Sequence, residues 1–366
     1  MKKKTCIKAV LFALLINLVL GGLSTYANEN EKGSEAGNTA ELAGATGFTY
    51  QMIFPENQHP ESGFFDLQMM PGQKQTVEIN LKNPSSQELT VQVNLTGAMT
   101  NSNGVIEYGP NKLSADKSMK YKFADIVKGP ESITLKPQSE ERLKLEIIMP
   151  KTEFDGIILG GIQLQRQSNE EKVEDNSGTM VVNKYAYVIG MRLRENDKEI
   201  PKELEFVKAY ADTPDYKNSV IIDLGNKQAA ILKDLTVEAQ IMGEKSDEVL
   251  YESKKTQMRM APNTVLNFPV SMEGQAMKAG KYRAHVVATS GSERWEWTEK
   301  FEITKEEADK FNNEAIGLNQ NREFDWKLIG LIVGGVLALI IIIFVVMHLI
   351  KKKKSKSKKK KKKKLE

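Results

Sequence analysis

The 366-residue chain carries 52 Lys+Arg against 48 Asp+Glu, three His and a single Cys. Its formal charge of +4 averages unlike parts: residues 28–350 hold 36 basic and 47 acidic residues, a net −11, which argues against nucleic-acid binding by the body of the chain. The one cysteine, Cys6, lies in a segment that reads as removable, so disulfide frameworks, thiolate metal sites and cysteine nucleophiles are excluded from the mature chain by inventory.

Residues 1–27 join a basic start (Lys2, Lys3, Lys4, Lys8) to the apolar run Ala9–Leu20 and then to small residues at Thr25 and Ala27. This is the pattern of a signal peptide cleaved after Ala27. Residues 28–47, rich in Glu, Gly, Asn and Ala, bury too little to order themselves and are predicted to be a flexible lead-in.

From Phe48 the pattern has a period of two. Val77, Ile79 and Leu81 alternate with polar residues, Asn83-Pro84-Ser85-Ser86 turns the chain, and Leu89, Val91, Val93 and Leu95 alternate again, which predicts an antiparallel hairpin. Asn103-Gly104 signals a second tight turn. Leu143, Leu145 and Ile147 form the next strand, then Ile162 and Leu164 after the glycine-rich Gly156–Gly161. Tyr185, Tyr187, Ile189, Met191 and Leu193 share a further face, with Arg192 and Arg194 opposite. The charged stretch Ser168–Gly178 reads as a long loop inside this first domain, residues 48–195, and the polar Glu195–Pro201 as the domain boundary.

A second domain, residues 200–304, repeats the style. Its alternating sets are Val220, Ile222 and Leu224; Leu235, Val237, Ala239 and Ile241; Leu266, Phe268 and Val270; and Tyr282, Ala284, Val286 and Ala288. Trp295, Trp297, Glu299, Phe301 and Ile303 make the last. Short strands at regular spacing predict an all-β protein of two tandem immunoglobulin-like β-sandwich domains.

Thr304-Lys305-Glu306-Glu307 is a capping box that opens a helix to about Ile316, within a helical stalk over 305–327. Residues 328–350, Leu328 to Ile350, carry no charge and one His, about 34 Å of helix against roughly 30 Å of hydrocarbon, and predict one C-terminal transmembrane helix. The lysine-rich tail 351–366 then reads as cytoplasmic, placing a single-pass protein in the cell membrane with its domains outside. Gly330 and Gly334 form a GxxxG, a pattern that permits weak homodimer pairing of such helices.

Only His59 and His285 lie in the two domains, without an HExxH or a histidine pair, so the sequence offers no metal or cofactor site. Carboxylates are plentiful, and a glycosidase pair is a matter of spatial separation, not of counting. Trp295 and Trp297 are either core residues or an exposed platform for a partner.

The chain resembles the WxL-interacting protein family of Gram-positive bacterial surfaces. The resemblance rests on Pro55-Glu56-Asn57-Gln58, Gly63-Phe64-Phe65-Asp66-Leu67, Pro71-Gly72-Gln73, Asn101-Ser102-Asn103-Gly104-Val105-Ile106, Phe123-Ala124-Asp125-Ile126-Val127 and Phe154-Asp155-Gly156-Ile157-Ile158-Leu159-Gly160-Gly161-Ile162. It continues through Leu193-Arg194-Glu195-Asn196, Ala230-Ile231-Leu232-Lys233-Asp234-Leu235, Tyr251-Glu252-Ser253, Met260-Ala261-Pro262-Asn263 and Lys278-Ala279-Gly280-Lys281-Tyr282.

The resemblance implies a peptidoglycan-binding first domain, a second domain binding host extracellular matrix protein, a membrane anchor, and association with WxL-domain surface proteins. Because a Gram-positive wall is itself anionic, a −11 body would have to bind glycan through hydrogen bonds and aromatic contacts. Polar motif residues in predicted loops are the candidates for that domain: Glu56, Asn57, Gln58, Asn101, Asn103 and Asp155. Tyr282, Trp295 and Trp297 are the candidates for the second. The expected function is a surface adaptor and not an enzyme; the alternative is a cell-wall glycan hydrolase using a carboxylate pair.

Overall fold

The computed structural model describes residues 44–167, 184–318, 331, 333–343 and 345. The first sandwich is built from two sheets. One has the order β1-β3-β9-β7, from β1 (Thr49–Ile53), β3 (Lys74–Lys82), β7 (Val127–Lys128) and β9 (Glu140–Ile148). The other has the order β2-β11-β10-β4-β8, from β2 (Phe65–Gln68), β4 (Leu89–Gly97), β8 (Ser132–Leu135), β10 (Ile157–Arg166) and β11 (Ala186–Arg194). Alternation along the strands sends Val77, Ile79, Leu81, Leu143, Leu145 and Ile147 from one sheet against Leu67, Val91, Ile162, Leu164, Met191 and Leu193 from the other. The one-turn helix α1 (Phe123–Ile126) adds Phe123 and Ile126 to that core.

The expected hairpin between residues 77 and 95 does not form. β3 pairs with β1 and β9, and β4 with β10 and β8, so the turn between them carries the chain from one sheet to the other. Asn83 makes that corner: fully buried, its Nδ2 donates to the carbonyls of Gln87 (2.7 Å), Leu135 (3.1 Å) and Lys136 (3.0 Å). Alternation states which face of a strand is buried, and both strands bury theirs in the same interior from opposite sides.

The second sandwich stacks β12-β13-β16 on β15-β14-β17-β18. These are β12 (Leu204–Asp212), β13 (Ser219–Asn226), β14 (Leu232–Gly243), β15 (Val249–Met260), β16 (Val265–Ser271), β17 (Gly280–Ser290) and β18 (Glu293–Ile303). Val220, Ile222, Leu224, Val237, Ala239, Leu266, Phe268, Ala284 and Val286 fill it. The capping box forms at Thr304, and helix α2 (Lys305–Glu314) lies back on this sandwich through Ala308 and Phe311. Asn312 fastens the helix, accepting from Met277 N (2.7 Å) and Asn218 Nδ2 (2.8 Å) and donating to Met277 O (3.0 Å).

The two sandwiches are joined through backbone. Arg259 N donates to Gly104 O (2.7 Å), Ile157 N to Ala229 O (2.7 Å) and Asp116 N to Asn263 O (2.8 Å). Between them Ala98 and Leu159 pack on Ala261, and the buried hydroxyls of Thr100 and Thr264 meet at 2.6 Å. Two glycines allow this approach: a Cβ on Gly156 (φ +98°) would stand 2.3 Å from Ala229 O, and one on Gly104 (φ +70°) 2.4 Å from the Met258 side chain. Gly104 closes the expected turn between β5 (Met99–Thr100) and β6 (Ile106–Glu107).

The transmembrane helix and the membrane localisation inferred for Leu328–Ile350 are corrected. Among the described residues no helix is long and apolar enough to cross a membrane. The bilayer therefore has no support as a partner. Gly334 of the expected dimer motif meets nothing within 4 Å, and Gly330 lies outside the described residues. The signal peptide, the loop Ser168–Gly178 and the lysine tail also lie outside them. Of the lead-in, Gly44–Thr46 is described as a 3-10 turn whose Thr46 is buried and donates to Phe48 O (3.0 Å).

Candidate functional site

The two outer faces of the first sandwich differ in chemistry. On the β3–β9 side the outward positions are ionic: Glu78 pairs with Arg142 (2.6 Å) and Lys144 (3.7 Å), and Lys82 with Glu140 (3.1 Å). On the opposite side, strand register places Ser132, Gln92, Gln165 and Ala186 in one row across β8, β4, β10 and β11. Asn94, Gln163 and Val188 form the next row, and Thr96, Gly161 and Gly190 a third. Over these three rows the face carries amides, hydroxyls and small apolar groups and no ionisable side chain.

One amide pair sits at its middle. Asn94 Nδ2 donates to Gln163 Oε1 (3.1 Å), while Gln163 Nε2 and Asn94 Oδ1 have no hydrogen-bond partner among the described residues. Both side chains are half-buried. At the end of the face Tyr108 crosses over the glycine row, where a Cβ on Gly161 would stand 2.2 Å from Tyr108 O. A Cβ on Gly190 would touch Phe64 (3.7 Å) and Tyr108 (3.8 Å), so two aromatic rings wall off this end.

Behind that wall one buried carboxylate meets two guanidinium groups. Asp66, fully buried on β2, accepts from Arg192 Nε (2.8 Å) and Ser62 Oγ (3.0 Å), and Arg194 stands 3.7 Å away. Burial works to raise the Asp66 carboxyl, but the bonds from Arg192 and Ser62 and the charges of both arginines outweigh it and hold the group below its ordinary value. The Arg192 guanidinium lies 5.7 Å from the Phe64 ring centroid, fixing the ring beside the glycine row.

The residues predicted for this domain fall in three places. Gln58 uses its whole amide locally, donating to the carbonyls of His59, Ser62 and Phe64 and accepting from Asp66 N, so it shapes the loop that presents Phe64. Asn57 is paired with Gln75 in both directions (3.1 and 2.8 Å) and donates to Gln68 O, with Glu56 exposed beside it. Asn101 caps the 101–105 turn, accepting from Asn103 N and Val105 N, and Asn103 accepts from Lys255 Nζ of the second sandwich (3.1 Å). Asp155 is held below its ordinary value by hydrogen bonds from Lys198 and Asn196 (both 2.9 Å).

In the second sandwich Trp295 and Trp297 are partly buried on the core from edge strand β18, with the Trp297 and Phe206 ring centroids 6.3 Å apart. Tyr282 stacks on Phe301 (5.6 Å) and donates to Lys278 O (2.8 Å).

Sequence reasoning missed Asn94, Gln163, Gln92 and Gln165. The available signal was negative: these outward positions of strongly alternating strands carry no charge in a chain whose residues are 27% charged.

Paired β-sandwiches define a two-domain protein of the immunoglobulin-like class, with an uncharged, hydrogen-bonding face on the first. Two family models match the sequence: "WxL Interacting Protein, peptidoglycan binding domain" over residues 48–166, and "WxL Interacting Protein, host binding domain" over residues 176–313. The chain belongs to the WxL Interacting Protein family, and it is a cell-surface binding protein. The second match begins ahead of β11, which pairs with β10 and β2 of the first sandwich.

No curated protein matches the chain. Among solved structures it is similar to the PapD-like domain 7 of human CEP192, at 8% identity and TM-score 0.25, with 48% of this chain and 99% of that one covered. It is similar also to the Pseudomonas aeruginosa CupB2 chaperone (9%, TM-score 0.26, covering 65% and 97%) and the E. coli chaperone DraB (13%, TM-score 0.25, covering 70% and 98%). At these scores the likenesses carry no argument about function.

Proposed function

We propose that this protein is a surface adaptor that takes peptidoglycan on the uncharged face of its first sandwich, binds host protein through its second, and associates with WxL-domain proteins. The observation that carries the reading is the chemistry of that face: amides and hydroxyls with no ionisable side chain over its three rows, closed at one end by the rings of Tyr108 and Phe64. A neutral polyhydroxylated, N-acetylated chain is matched by such groups, and a surface without net charge neither attracts nor repels an anionic wall. On the host side, Tyr282 and the exposed edges of Trp295 and Trp297 are the proposed contacts, since half-buried aromatics held by a core lose little entropy on binding.

Catalysis is not part of this reading. Both matched models describe binding domains. The buried Asp223 carboxyl is raised by burial, yet its Oδ1 accepts from Asn267 (2.6 Å) and Lys208 stands 3.7 Å from its Oδ2, so it is held by a donor and a cation and not by a second carboxylate.

The test is co-sedimentation of the full chain with purified sacculi, with a WxL-domain protein in a parallel arm. Retention on sacculi that falls about tenfold, close to 1.4 kcal/mol, in the double variant Asn94→Asp, Gln163→Glu is the expected result. Release of soluble muropeptides would sink the binding-only reading, and failure to retain either partner would sink the adaptor.

A further inference from the structure

The second sandwich has a groove of its own, separate from the uncharged face. It lies on the outward side of β12-β13-β16, encloses about 440 Å³, and is rimmed on one side by Ser102, Asn103 and Ser114 of the first sandwich. Its floor is apolar: register sets Tyr210, Ile221 and Pro269 side by side across the three strands. Ile221, although it points away from the core, is only 4% exposed. The next row toward the groove's end is Asp212, Ser219 and Ser271, and Asn267 closes the other side.

The aromatic wall is held from behind. Lys208 Nζ lies 4.2 Å from the Tyr210 ring centroid, and Asp223, itself 6% exposed, interacts with the Tyr210 hydroxyl and accepts from Asn267. Neither Lys208 nor Asp223 is among the residues that line the groove. Burial, with the carboxylates of Asp223 and Asp212, pushes the phenol up to about 12, so it stays protonated, a hydrogen-bond donor at any physiological pH. On the rim, Asn103 spends its Oδ1 on Lys255 and leaves its Nδ2 without a partner among the described residues.

We infer that this groove is a second binding site that takes one or two rings of a neutral saccharide, with a ring face on Tyr210 and hydroxyls on Asp212, Asn267 and Asn103. An apolar strip between two polar rows suits a pyranose, which presents C–H groups on its faces and hydroxyls around its edge. The volume lies at the low end for small-molecule sites. The lining holds two carboxylates, Asp212 and Asp215, and one lysine, Lys217, a balance that disfavours sialylated or sulfated sugars. Because both sandwiches supply the lining, the site exists only at the domain angle that the junction enforces.

Saturation-transfer difference NMR on the full chain with lactose, N-acetyllactosamine and maltose tests the site. Transfer to at least one of the three is expected, with affinity at least about tenfold weaker in Tyr210→Ala, and in Ser102→Trp, an exposed rim position whose new indole fills the groove without touching the core of the second sandwich. Glu140→Gln, on the ionic face of the first sandwich, leaves it unchanged. Transfer to none of the three overturns the inference, as does transfer that survives Ser102→Trp. Transfer abolished by Asn94→Asp assigns the sugar to the uncharged face and overturns it equally.

Discussion

Thr100 and Thr264, 164 residues apart in sequence, bring their hydroxyls within 2.6 Å of each other at a fully buried point between the two sandwiches. Thr100 Oγ1 also accepts from Ala261 N (2.9 Å), and Thr264 Oγ1 donates to Ala261 O (2.9 Å), so the pair closes a ring of hydrogen bonds around one residue. Thr264 Oγ1 thus gives its hydrogen to Ala261 O, leaving Thr100 Oγ1 to supply the one between the hydroxyls. Thr100→Val keeps the shape but strands Ala261 N and one lone pair of Thr264. The expected cost is about 1–3 kcal/mol, read as a lowered denaturant midpoint. An unchanged midpoint would show that the hydroxyl pair contributes nothing to the junction.

The glycines at the junction predict a conformational effect. Gly156→Val meets both a left-handed backbone (φ +98°) and Ala229 O at 2.3 Å, so the junction must open to accept it. Small-angle scattering is expected to show a larger radius of gyration, and proteolysis new cleavage near 195–203, with the strand content by circular dichroism retained. Loss of the whole fold would instead mean that the second sandwich does not stand without the first.

The Asp66 carboxyl predicts acid sensitivity. Its folded pKa lies below the unfolded value, so its contribution is complete above the ordinary carboxylate range and is lost as pH falls through the depressed folded value. Asp223, raised by burial, works in the opposite direction and is common to both proteins compared. Wild type minus Asp66→Asn is therefore expected to show a stability difference that is flat near neutrality and shrinks below about pH 4. A difference that does not depend on pH would overturn the assignment.

Wall binding without charge predicts little response to salt. Retention of the full chain on sacculi is expected to change less than about twofold from low to high ionic strength, because screening acts only on charged contacts. Gln163→Lys is expected to restore a salt dependence by placing a cation in the middle of the face. A steep salt dependence of the wild type would move the wall contact to one of the ionic surfaces.

Asn312 ties helix α2 to the second sandwich through three hydrogen bonds. Asn312→Ala removes its three bonds to Met277 and Asn218 and leaves the buried Asn218 amide without that acceptor. Limited proteolysis is expected to cut the 304–318 segment faster than in wild type while the second sandwich stays intact. Equal rates would mean that the apolar contacts of Ala308 and Phe311, with the bonds at Glu314 and Ile316, hold the segment without it.

The period-two pattern gave away most of the strands, including β9, β11, β13, β14, β16, β17 and β18, because burial of one face requires alternation whatever the partner. It did not state partners, and so β3 and β4 read as a hairpin when Asn83 turns the chain between sheets. β12 and β15 escaped notice: they expose much of both faces, with Val207, Val249 and Leu250 exposed and charged residues at alternate sites. The apolar residues 328–350 passed the length test for a spanning helix, but among the described residues no helix of that length and character is formed.

Several motif residues chosen as binding candidates for their polarity have structural roles: Gln58 and Asn101 hold backbone, and Asn103 gives its Oδ1 to Lys255 of the other sandwich while its Nδ2 stays unpartnered among the described residues. Polarity in a loop reports the need to satisfy backbone as readily as the need to bind a ligand.

By itself the sequence determined the all-β class, because alternation and turn residues act locally and survive in any register, and its motifs carried the resemblance to the family whose models match it. The uncharged face, the groove beside Tyr210 and the Thr100–Thr264 contact were decided only by tertiary structure. Each joins residues from strands or domains far apart in the chain, and which side chains become neighbours depends on sheet order and register, to which no local pattern is coupled.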